Sequence, residues 1–307
     1  MSDMKDIKNR IGSVKDTQKI INAMYLISST KLRKARKELD STDPYFNAIS
    51  REIRRILSTT EGDIEHKYFY PSKFPKGKTD IDGPYGYIVV TADRGLAGDY
   101  NLNIIKEARQ LMGKDGNVFY TVGEYGRHYM EVHGQEVRKS FIYPTHAPSL
   151  SYARKICDEV MDDYDQGIIK KISIIYTDYK SSVETKPRLM RILPFRRSDF
   201  NNVKAKSGNK PDYELMPSIS EVLESIIPSY VLGTIYGALV DSFYCEQNAR
   251  MNAMNNANNN AQDLIADLTK QYNYTRQNII TQEVTEVAAG ARAHKKKREQ
   301  ALKKGES

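Results

Sequence analysis

Apolar residues recur near the start of the chain at alternating spacings of three and four. The positions with this spacing are Met4, Ile7, Ile11, Val14, Gln18, Ile21, Tyr25, Ser28, Leu32, Ala35 and Leu39. A mean repeat of about 3.5 residues is typical of a coiled-coil seam rather than of an ordinary amphipathic face. The pattern therefore predicts one helix over 4–39, roughly 50 Å long at about 1.5 Å per residue.

One further segment continues the helical pattern after a proline. Pro44, in the cluster Ser41–Pro44, predicts a break or kink. A second helix is expected near Tyr45–Ser58, with Phe46, Ile49, Ile53, Ile56 and Leu57 as its apolar residues.

The helical pattern returns in the last third of the chain. Ser218 with Glu221 resembles a capping box, and Pro228 is expected to kink or restart the helix before a long helix over 238–289. Its predicted seam is Met251, Met254, Ala261, Leu264, Leu268, Tyr272, Thr275 and Ile279. The Asn-rich stretch 252–260 is a poor intrinsic helix former, so a disordered break there is an open alternative. The tail 294–307 is expected to be disordered.

In the middle of the chain, segments with the hydrophobic pattern of a strand alternate with segments that have the pattern of a helix. Strands are predicted at 87–91, 117–122, 171–178 and 188–193, and helices at 104–112 and 152–164. This alternation favours a mainly parallel, Rossmann-like α/β domain with helices on the faces of its sheet. The predicted domains are an N-terminal coiled-coil helix (1–61), the central α/β domain (62–212), a C-terminal coiled-coil helix (213–293) and a basic tail (294–307). The two terminal helices can pair antiparallel as a shaft, with the α/β domain as its foot.

Composition narrows the class of protein. The chain has 307 residues and a mass of 35.1 kDa, and its mean hydropathy of −0.62 suits long exposed helices. No apolar run approaches the length of about 18 residues that a transmembrane helix needs. The first residues lack a signal or transit pattern. Cys157 and Cys245 form neither a disulfide framework nor a zinc site, and they fit a reducing compartment.

Positive charge is concentrated at both ends. The net charge is +8 overall, while residues 1–40 and 292–307 each carry +5. Such ends favour an acidic partner, which could be nucleic acid, anionic lipid or acidic protein. The dense basic stretch 31–37 is interpreted as a solvated helix face or a contact for acidic protein. It lacks the interleaved aromatic residues that nucleic-acid readers often have.

The chain contains no convincing catalytic constellation. Lys76–Thr79 matches the end of a phosphate-binding loop, but Ser72 replaces the required glycine and no strand precedes it. The turn Asp93–Gly98 follows the first strand; it is either a tight turn in which glycine supplies a positive φ or, alternatively, a cofactor loop. His128 and His133 lack the spacing of a helical metal pair. No cofactor or metal is predicted.

Long motifs in three regions resemble one family. Residues 7–20 (IKNRIGSVKDTQKI), Ala23-Met24 and Lys31-Leu32 resemble the N-terminal signature of the gamma subunit of F-type ATP synthases. The same resemblance extends to Asp93–Gly98, Asn101, Leu193-Pro194, Glu246, Ala249–Met254, Asn260-Ala261, Leu268, Tyr272–Gln277, Ile280–Val284, Glu286-Val287 and Gly290. These motifs lie in colinear order over nearly the whole chain.

The resemblance implies a non-catalytic rotor that serves ATP synthesis and hydrogen ion transport. Within this family, the lack of a transit pattern before the first helix predicts a bacterial source. In this family the terminal helices form an antiparallel coiled coil inside a ring of alternating alpha and beta subunits. The foot stands on the membrane ring of c subunits and binds the epsilon subunit. The expected location is the cytoplasmic face of the inner membrane, as a peripheral protein, and no nucleic-acid partner is expected.

The resemblance also implies contact residues for the beta subunits. Arg276, Gln277 and Thr281 match polar positions that meet a loop of one beta subunit. Met24 and the basic residues Lys31, Arg33 and Lys34 lie where the shaft passes acidic segments of beta. The alternative for each is a solvated helix face. The competing classes are a basic coiled-coil protein that binds nucleic acid and a Rossmann-type enzyme.

Overall fold

The computed structural model describes residues 2–59, 66–71, 80–114, 116–142, 148–179, 185–200, 216 and 218–304. Their helices and strands are α1 (Ser2–Thr59), β1 (Tyr85–Val90), α2 (Tyr100–Arg109), β2 (Asn117–Val122), α3 (Glu124–Val132), β3 (Val137–Phe141), α4 (Leu150–Asp165), β4 (Lys171–Tyr179), β5 (Thr185–Leu193), a 3-10 turn (Arg197–Phe200) and α5 (Ile219–Lys304).

The chain forms two compact units. One comprises Leu26–Ala253, and the other comprises Met1–Tyr25 together with Met254–Ser307. We call them the α/β unit and the helical unit. The predicted domain boundaries at 61/62 and 212/213 lie outside the described residues, as do the phosphate-loop fragment 76–79 and most of both predicted linkers.

A five-stranded sheet organises the α/β unit. Its strand order is β3-β2-β1-β4-β5, and only β5 runs antiparallel to its neighbour. The predicted mixed α/β class, with its mainly parallel sheet, is confirmed. The sequence did not predict α3 or β3. Strand β3 (VRKSF) is mostly charged or polar because it lies at the edge of the sheet.

Helices cover both faces of the sheet. On one face Val89, Phe119 and Ile175 pack with Ile104 and Ala108 of α2 and with Met130 of α3. On the other face the sheet packs against α4 and against the segments of α1 and α5 in this unit. The members of this second core include Ile88, Tyr120, Ile174, Ile156, Val160, Ile53, Val231 and Leu239. Alternate residues of each strand thus serve opposite cores.

Within the α/β unit, α1 and α5 run antiparallel. Lys31 of α1 interacts with Glu246 of α5, whereas Phe46 lies beside Tyr236, with ring centroids 6.0 Å apart. Gly233 allows this close approach, since a Cβ there would overlap the Phe46 ring. Residue numbers therefore increase along α1 in the direction in which they decrease along α5, as in an antiparallel pair.

The breaks predicted at two prolines are wrong, whereas a kink at either proline stays a prediction. Pro44 lies inside α1 and Pro228 inside α5, and both helices are continuous there. Each proline removes one backbone donor, but the buried residues that flank it, such as Ile53, Ile227 and Val231, hold the helix against the core. The helix predicted over 238–289 is confirmed and includes the Asn-rich stretch 252–260, so the alternative of a disordered break there is wrong. Helix α5 continues as far as Lys304, within the tail that was expected to be disordered. The capping box is confirmed, since the Glu221 N–H donates to Ser218 Oγ at 3.2 Å.

By length and composition alone, the helix over Ile219–Lys295 could cross a membrane. The lack of a long uninterrupted apolar run therefore does not exclude such a helix, because the mean hydropathy of an 18-residue window is high enough. Half of its most apolar window is buried inside the structure. Core helices of soluble proteins meet the same criterion.

Candidate functional site

The α1 seam follows the predicted spacing. Met4, Ile7, Ile11, Val14, Gln18 and Ile21 are half-buried between exposed neighbours in the helical unit. The same spacing continues in the α/β unit, where Ser28 and Ala35 are fully buried. Tyr25 departs from the pattern, because it is exposed and Met24 is half-buried instead.

The α5 seam of the helical unit is a heptad. Met254, Ala261 and Leu268 are its most buried side chains and lie seven residues apart. Asn258, Ile265, Tyr272, Thr275 and Ile279 complete the four-three alternation as half-buried positions. Leu264, a predicted seam residue, is 40% exposed, so that prediction is wrong. The heptad spacing places Ile265 on the seam instead.

A pair of amides lies in this seam. Gln18 Nε2 of α1 donates a hydrogen bond to Asn258 Oδ1 of α5 at 3.0 Å. A polar pair among apolar seam residues specifies the register of two helices, because any slip leaves both groups unpaired. The Asn-rich stretch thus supplies a residue that fixes the alignment.

The turn after β1 is fixed by hydrogen bonds from two elements. Asn101 of α2 accepts from the Ala92 N–H at 2.9 Å, and its Nδ2 reaches the Arg94 carbonyl at 3.5 Å. From α5, Arg250 Nη2 donates to the carbonyls of Gly95 at 3.2 Å and Arg94 at 3.4 Å. The turn is therefore attached to the helix pair by its backbone.

Glu246 orients the arginine that holds this turn. The Glu246 side chain is buried and forms an ion pair with Arg250, one helical turn further along. Burial raises the pKa of Glu246, while Arg250, Gln247 and Lys31 oppose that rise. Gln247 Nε2 donates to the second carboxylate oxygen at 3.0 Å. Removal of either charge would leave the other buried without its partner.

The turn has the backbone of a tight turn. Gly98 has a φ of 58°, as the tight-turn interpretation requires, and Leu96 has a φ of 63° while its side chain is 63% exposed. Ala97 and Tyr100 pack beneath it against Cys245. Within the described part of the chain, no group of three or more His, Cys, Asp or Glu is placed to hold a metal ion.

Comparison with known proteins assigns the chain to a family. The model of the ATP synthase family matches residues 3–293. The ATP synthase gamma chain of Alkaliphilus metalliredigens is 38% identical over 294 residues, which are 95% of this chain and 99% of the relative. That of Ruminiclostridium cellulolyticum is 37% identical, with 95% and 99% covered. The chain belongs to the ATP synthase gamma subunit family.

Further similarities agree with this membership. The sodium ion specific ATP synthase gamma chain of Acetobacterium woodii is 32% identical and covers 94% of this chain and 98% of its own. Among solved structures, the Euglena gracilis mitochondrial ATP synthase rotor has a TM-score of 0.64 at 17% identity, with 91% of this chain and 99% of that chain covered. The Tetrahymena thermophila central stalk has a TM-score of 0.58 at 18% identity, with 78% and 99% covered. Both structures share the fold of this gamma-family chain.

The structure places the predicted contact residues of this gamma-family chain in both units. Met24, Arg276, Gln277 and Thr281 belong to the helical unit, whereas Lys31, Arg33 and Lys34 belong to the α/β unit.

In the helical unit, Arg276, Gln277 and Thr281 are exposed on α5. Thr281 Oγ1 donates to the Gln277 carbonyl at 2.8 Å, so its hydroxyl is already bonded within the helix.

In the α/β unit, the three predicted basic residues differ in their surroundings. Arg33 and Lys34 are exposed, whereas Lys31 is half-buried and interacts with Glu246. Lys31 therefore lies close enough to Glu246 to oppose the rise in the pKa of that carboxyl group.

Sequence reasoning noted Glu246 and Arg250 only as parts of a motif and assigned them no role. Their opposite charges at a spacing of four residues were the available signal. The turn that Arg250 contacts is 155 residues away in the sequence. Single-sequence patterns do not report such long-range contacts.

Proposed function

We propose that this chain is the central-stalk rotor of an F-type ATP synthase. It couples proton-driven rotation of the membrane c-ring to conformational changes at the catalytic beta subunits, and it carries out no catalysis itself. The observation that carries the proposal is the family match, which runs colinearly through residues 3–293 and so includes both long helices and the α/β domain between them.

The physical basis of coupling is differential contact. A rotor that presents a different face to each beta subunit stabilises a different conformation of each nucleotide site. Helices with a defined register suit this role, because a helix pair that slipped would lose the relation between angle and face. The amide pair of Gln18 and Asn258, 3.0 Å apart, opposes such slippage.

The partners of the chain follow from the same assignment. They are the alpha and beta subunits of the catalytic head, the epsilon subunit and the c-ring. The Euglena and Tetrahymena structures contain a rotor or central stalk with a c-ring or F1. The chain would then act as a peripheral protein on the cytoplasmic face of the inner membrane.

Two sets of residues would meet the beta subunits. On α5, Arg276 with Gln277 and Thr281 offers a cation beside polar groups. On α1, Met24 and the basic residues Lys31, Arg33 and Lys34 would meet acidic segments. Exposed cations suit such transient contacts, since they favour encounter without a large buried area.

The test is a substitution in the assembled complex. We expect Arg276→Ala to slow ATP-driven rotation by roughly tenfold, equivalent to about 1.4 kcal/mol, because a contact made during the rotary step is lost. Lys270→Ala is the matched control, since Lys270 is another exposed cation of α5 and pairs with Asp267. Both isolated chains should keep their helicity. Undiminished coupled turnover in the Arg276 variant would remove this residue from the contact.

The basic ends of the chain suggest nucleic-acid binding as an alternative function. Titration with a DNA duplex over a range of salt concentrations distinguishes a nucleic-acid-binding protein from a rotor. We expect only weak, sequence-independent binding for a rotor. A tight, specific complex with a steep salt slope would favour the alternative.

A further inference from the structure

One segment of α5 places polar side chains against the carboxyl edge of the sheet. Ser242, Glu246 and Arg250 recur every four residues, so they lie on one face of the helix. Ser242 and Glu246 are buried, and the Arg250 side chain is only 13% exposed. Because a buried polar group costs free energy unless it is hydrogen-bonded, each of these side chains needs a specific partner.

Ser242 bonds to β4. Its Oγ accepts a hydrogen bond from the Thr177 N–H at 3.2 Å, and both residues are buried. Strand β4 pairs with β1 only as far as Ile175. The hydroxyl of α5 therefore pairs a backbone N–H that lies beyond the paired part of these two strands.

Arg250 bonds to the turn that follows β1, through the carbonyls of Arg94 and Gly95. That turn is also fixed to α3, because the Asp93 carboxylate accepts a hydrogen bond from the Glu124 N–H at 2.9 Å. Together with the bonds from α2, this attachment keeps the turn from moving alone. Arg250 therefore joins α5 to a fixed part of the α/β domain.

The two contacts flank the place where sheets of this kind bind ligands. The strand order reverses between β1 and β4, and open α/β sheets hold their ligands outside the carboxyl ends of the strands at such a point. Cys245, between the two contacts along α5, packs here with Ala92 and Ala97. The backbone groups of this edge therefore bind a helix of the same chain in the position of a ligand.

These contacts differ in kind from the apolar packing of α5 on the sheet. Apolar burial is non-directional, whereas a hydrogen bond to a backbone atom requires one alignment of donor and acceptor. Ser242 and Arg250 are about 12 Å apart along the helix axis. Two directional contacts at this separation oppose both rotation of the helix about its axis and tilting of the helix on the sheet.

We propose that Ser242 and Arg250 are positioning residues that transmit torque between the α/β domain and α5. This inference rests on the proposed rotor function, in which the c-ring acts on the α/β domain and the beta subunits meet α5. Helix α5 is continuous over Ile219–Lys304, so rotation passed to it at the sheet edge reaches the rest of the helix. Loss of either contact leaves the chain folded but makes the connection more compliant.

The experiment measures the torsional stiffness of this connection in the complete catalytic complex. The beta subunits are fixed to a surface, and a bead is attached to the α/β domain through Ile142→Cys, at a position that is 84% exposed. During the pauses between steps, the angular variance of the bead is inversely proportional to the stiffness of the chain that connects it to the beta subunits. The urea midpoint of each purified chain is measured in parallel.

Four variants separate stiffness from stability. Ser242→Ala removes the contact with β4. Glu246→Gln removes the ion pair but keeps Arg250 and its two carbonyl contacts. Glu246→Gln combined with Arg250→Met removes the contact with the turn without leaving a buried charge. Thr234→Val is the control, because the Thr234 hydroxyl donates to the Tyr230 carbonyl within α5 at 2.9 Å.

We expect the angular variance to rise about 1.5-fold for Ser242→Ala and for the combined Glu246→Gln and Arg250→Met variant, and about twofold when all three substitutions are joined, because sites this far apart act independently. Glu246→Gln alone should lower the urea midpoint, since the Arg250 charge loses its carboxylate, yet it should keep the variance of the full chain. Adding Arg250→Met should recover the midpoint. Thr234→Val should not change the variance, and without a bead all complexes should hydrolyse ATP at the same rate.

Several outcomes would overturn the inference. The first is an unchanged variance in both variants that lack a contact. A variance that followed the urea midpoint through the series would show that the contacts serve stability alone, and an equal rise for Thr234→Val would show a general loosening of α5. Slower hydrolysis without a bead would place the effect at the beta subunits. Absence of directed rotation with the full chain would instead contradict the proposed function on which the inference rests.

Discussion

The α/β unit and the helical unit bury their apolar residues in different ways. In the α/β unit, side chains from strands and helices surround residues such as Ile88, Ile174 and Val231, which are fully buried. In the helical unit burial follows one seam, where Met254, Ala261 and Leu268 keep 4–8% exposure. A core fixes shape in three dimensions, whereas a seam fixes alignment and leaves the outer faces available to partners.

Charged side chains also differ in burial between the α/β unit and the helical unit. Asp163 of the α/β unit is buried, where it accepts hydrogen bonds from Tyr120 and Arg138. The ion pairs Lys19–Asp16 and Lys270–Asp267 of the helical unit have all four side chains at least 67% exposed. Exposed pairs contribute little to stability. The helical unit therefore depends mainly on its seam.

The largest expected difference between the units is the cost of a cavity. Ile174→Ala should lower the free energy of unfolding by about 4 kcal/mol, because neighbours on β1 and β5 prevent the site from closing. Leu268→Ala should cost about 2 kcal/mol, since a two-helix seam can close more readily. Urea unfolding of the purified chain measures both. Equal costs would mean that the seam is as rigid as the core.

A buried charge should produce the next largest effect. Burial alone would raise the pKa of Asp163, but hydrogen bonds from Arg138 and Tyr120 lower it below its ordinary value. This stabilisation is present above about pH 4 and is lost as the pH falls through the lowered pKa. Asp163→Asn should therefore cost about 2 kcal/mol near pH 7. The difference between the two proteins should shrink below about pH 4.

The readout for Asp163 is the urea midpoint of both proteins across that pH range. Asp267→Asn is the control, because its ion pair is exposed and should contribute little to the free energy of unfolding. A cost that stayed constant from neutral to acid pH would contradict the assigned role of the carboxylate.

Two glycines of α5 should respond in opposite directions. Gly233→Ala forces a Cβ against the Phe46 ring and should destabilise the chain by about 1–2 kcal/mol, since the overlap outweighs the gain in helix propensity. Gly237→Ala has nothing within 4 Å and should stabilise by about 0.5–1 kcal/mol. Thermal unfolding of both variants is the check. Stabilisation by both would show that α1 and α5 are not in close contact at Gly233.

The amide pair of the seam should give the smallest effect. Gln18→Ala should cost about 0.5–1 kcal/mol, because Asn258 loses a partly buried hydrogen bond. Lys19→Ala, one residue along and exposed, should change the free energy of unfolding by less than about 0.5 kcal/mol. If both substitutions gave the same result, the amide pair would have no role in the seam.

The sequence predicted regular patterns well and long-range contacts poorly. The α1 seam followed from spacing alone, apart from Tyr25, because each seam residue repeats the same environment. Leu264 was misassigned because it is as apolar as Ile265, and only the partner helix distinguishes them. Pro44 and Pro228 led to the prediction of a break or kink because proline has a low helix propensity. That propensity does not include the core packing that keeps both helices continuous.

The candidate site shows the same limit. The motifs at 93–98 and 246–250 were visible in the sequence, but their contact was not. Arg250 reaches the carbonyls of Arg94 and Gly95 only after the sheet and the helix pair have formed. The exposure of Arg276, Gln277 and Thr281 is compatible with their predicted contacts, and those contacts stay a prediction for the assembled complex.

Direct observation of rotation is the decisive measurement. Cys157 and Cys245 are buried, so Ile142→Cys, at a position that is 84% exposed, offers a selective attachment point for a bead. With the beta subunits fixed to a surface, ATP should turn the bead in one direction, and removal of ATP should stop it. A complex that hydrolyses ATP at its normal rate while the bead shows no directed rotation would contradict the rotor assignment.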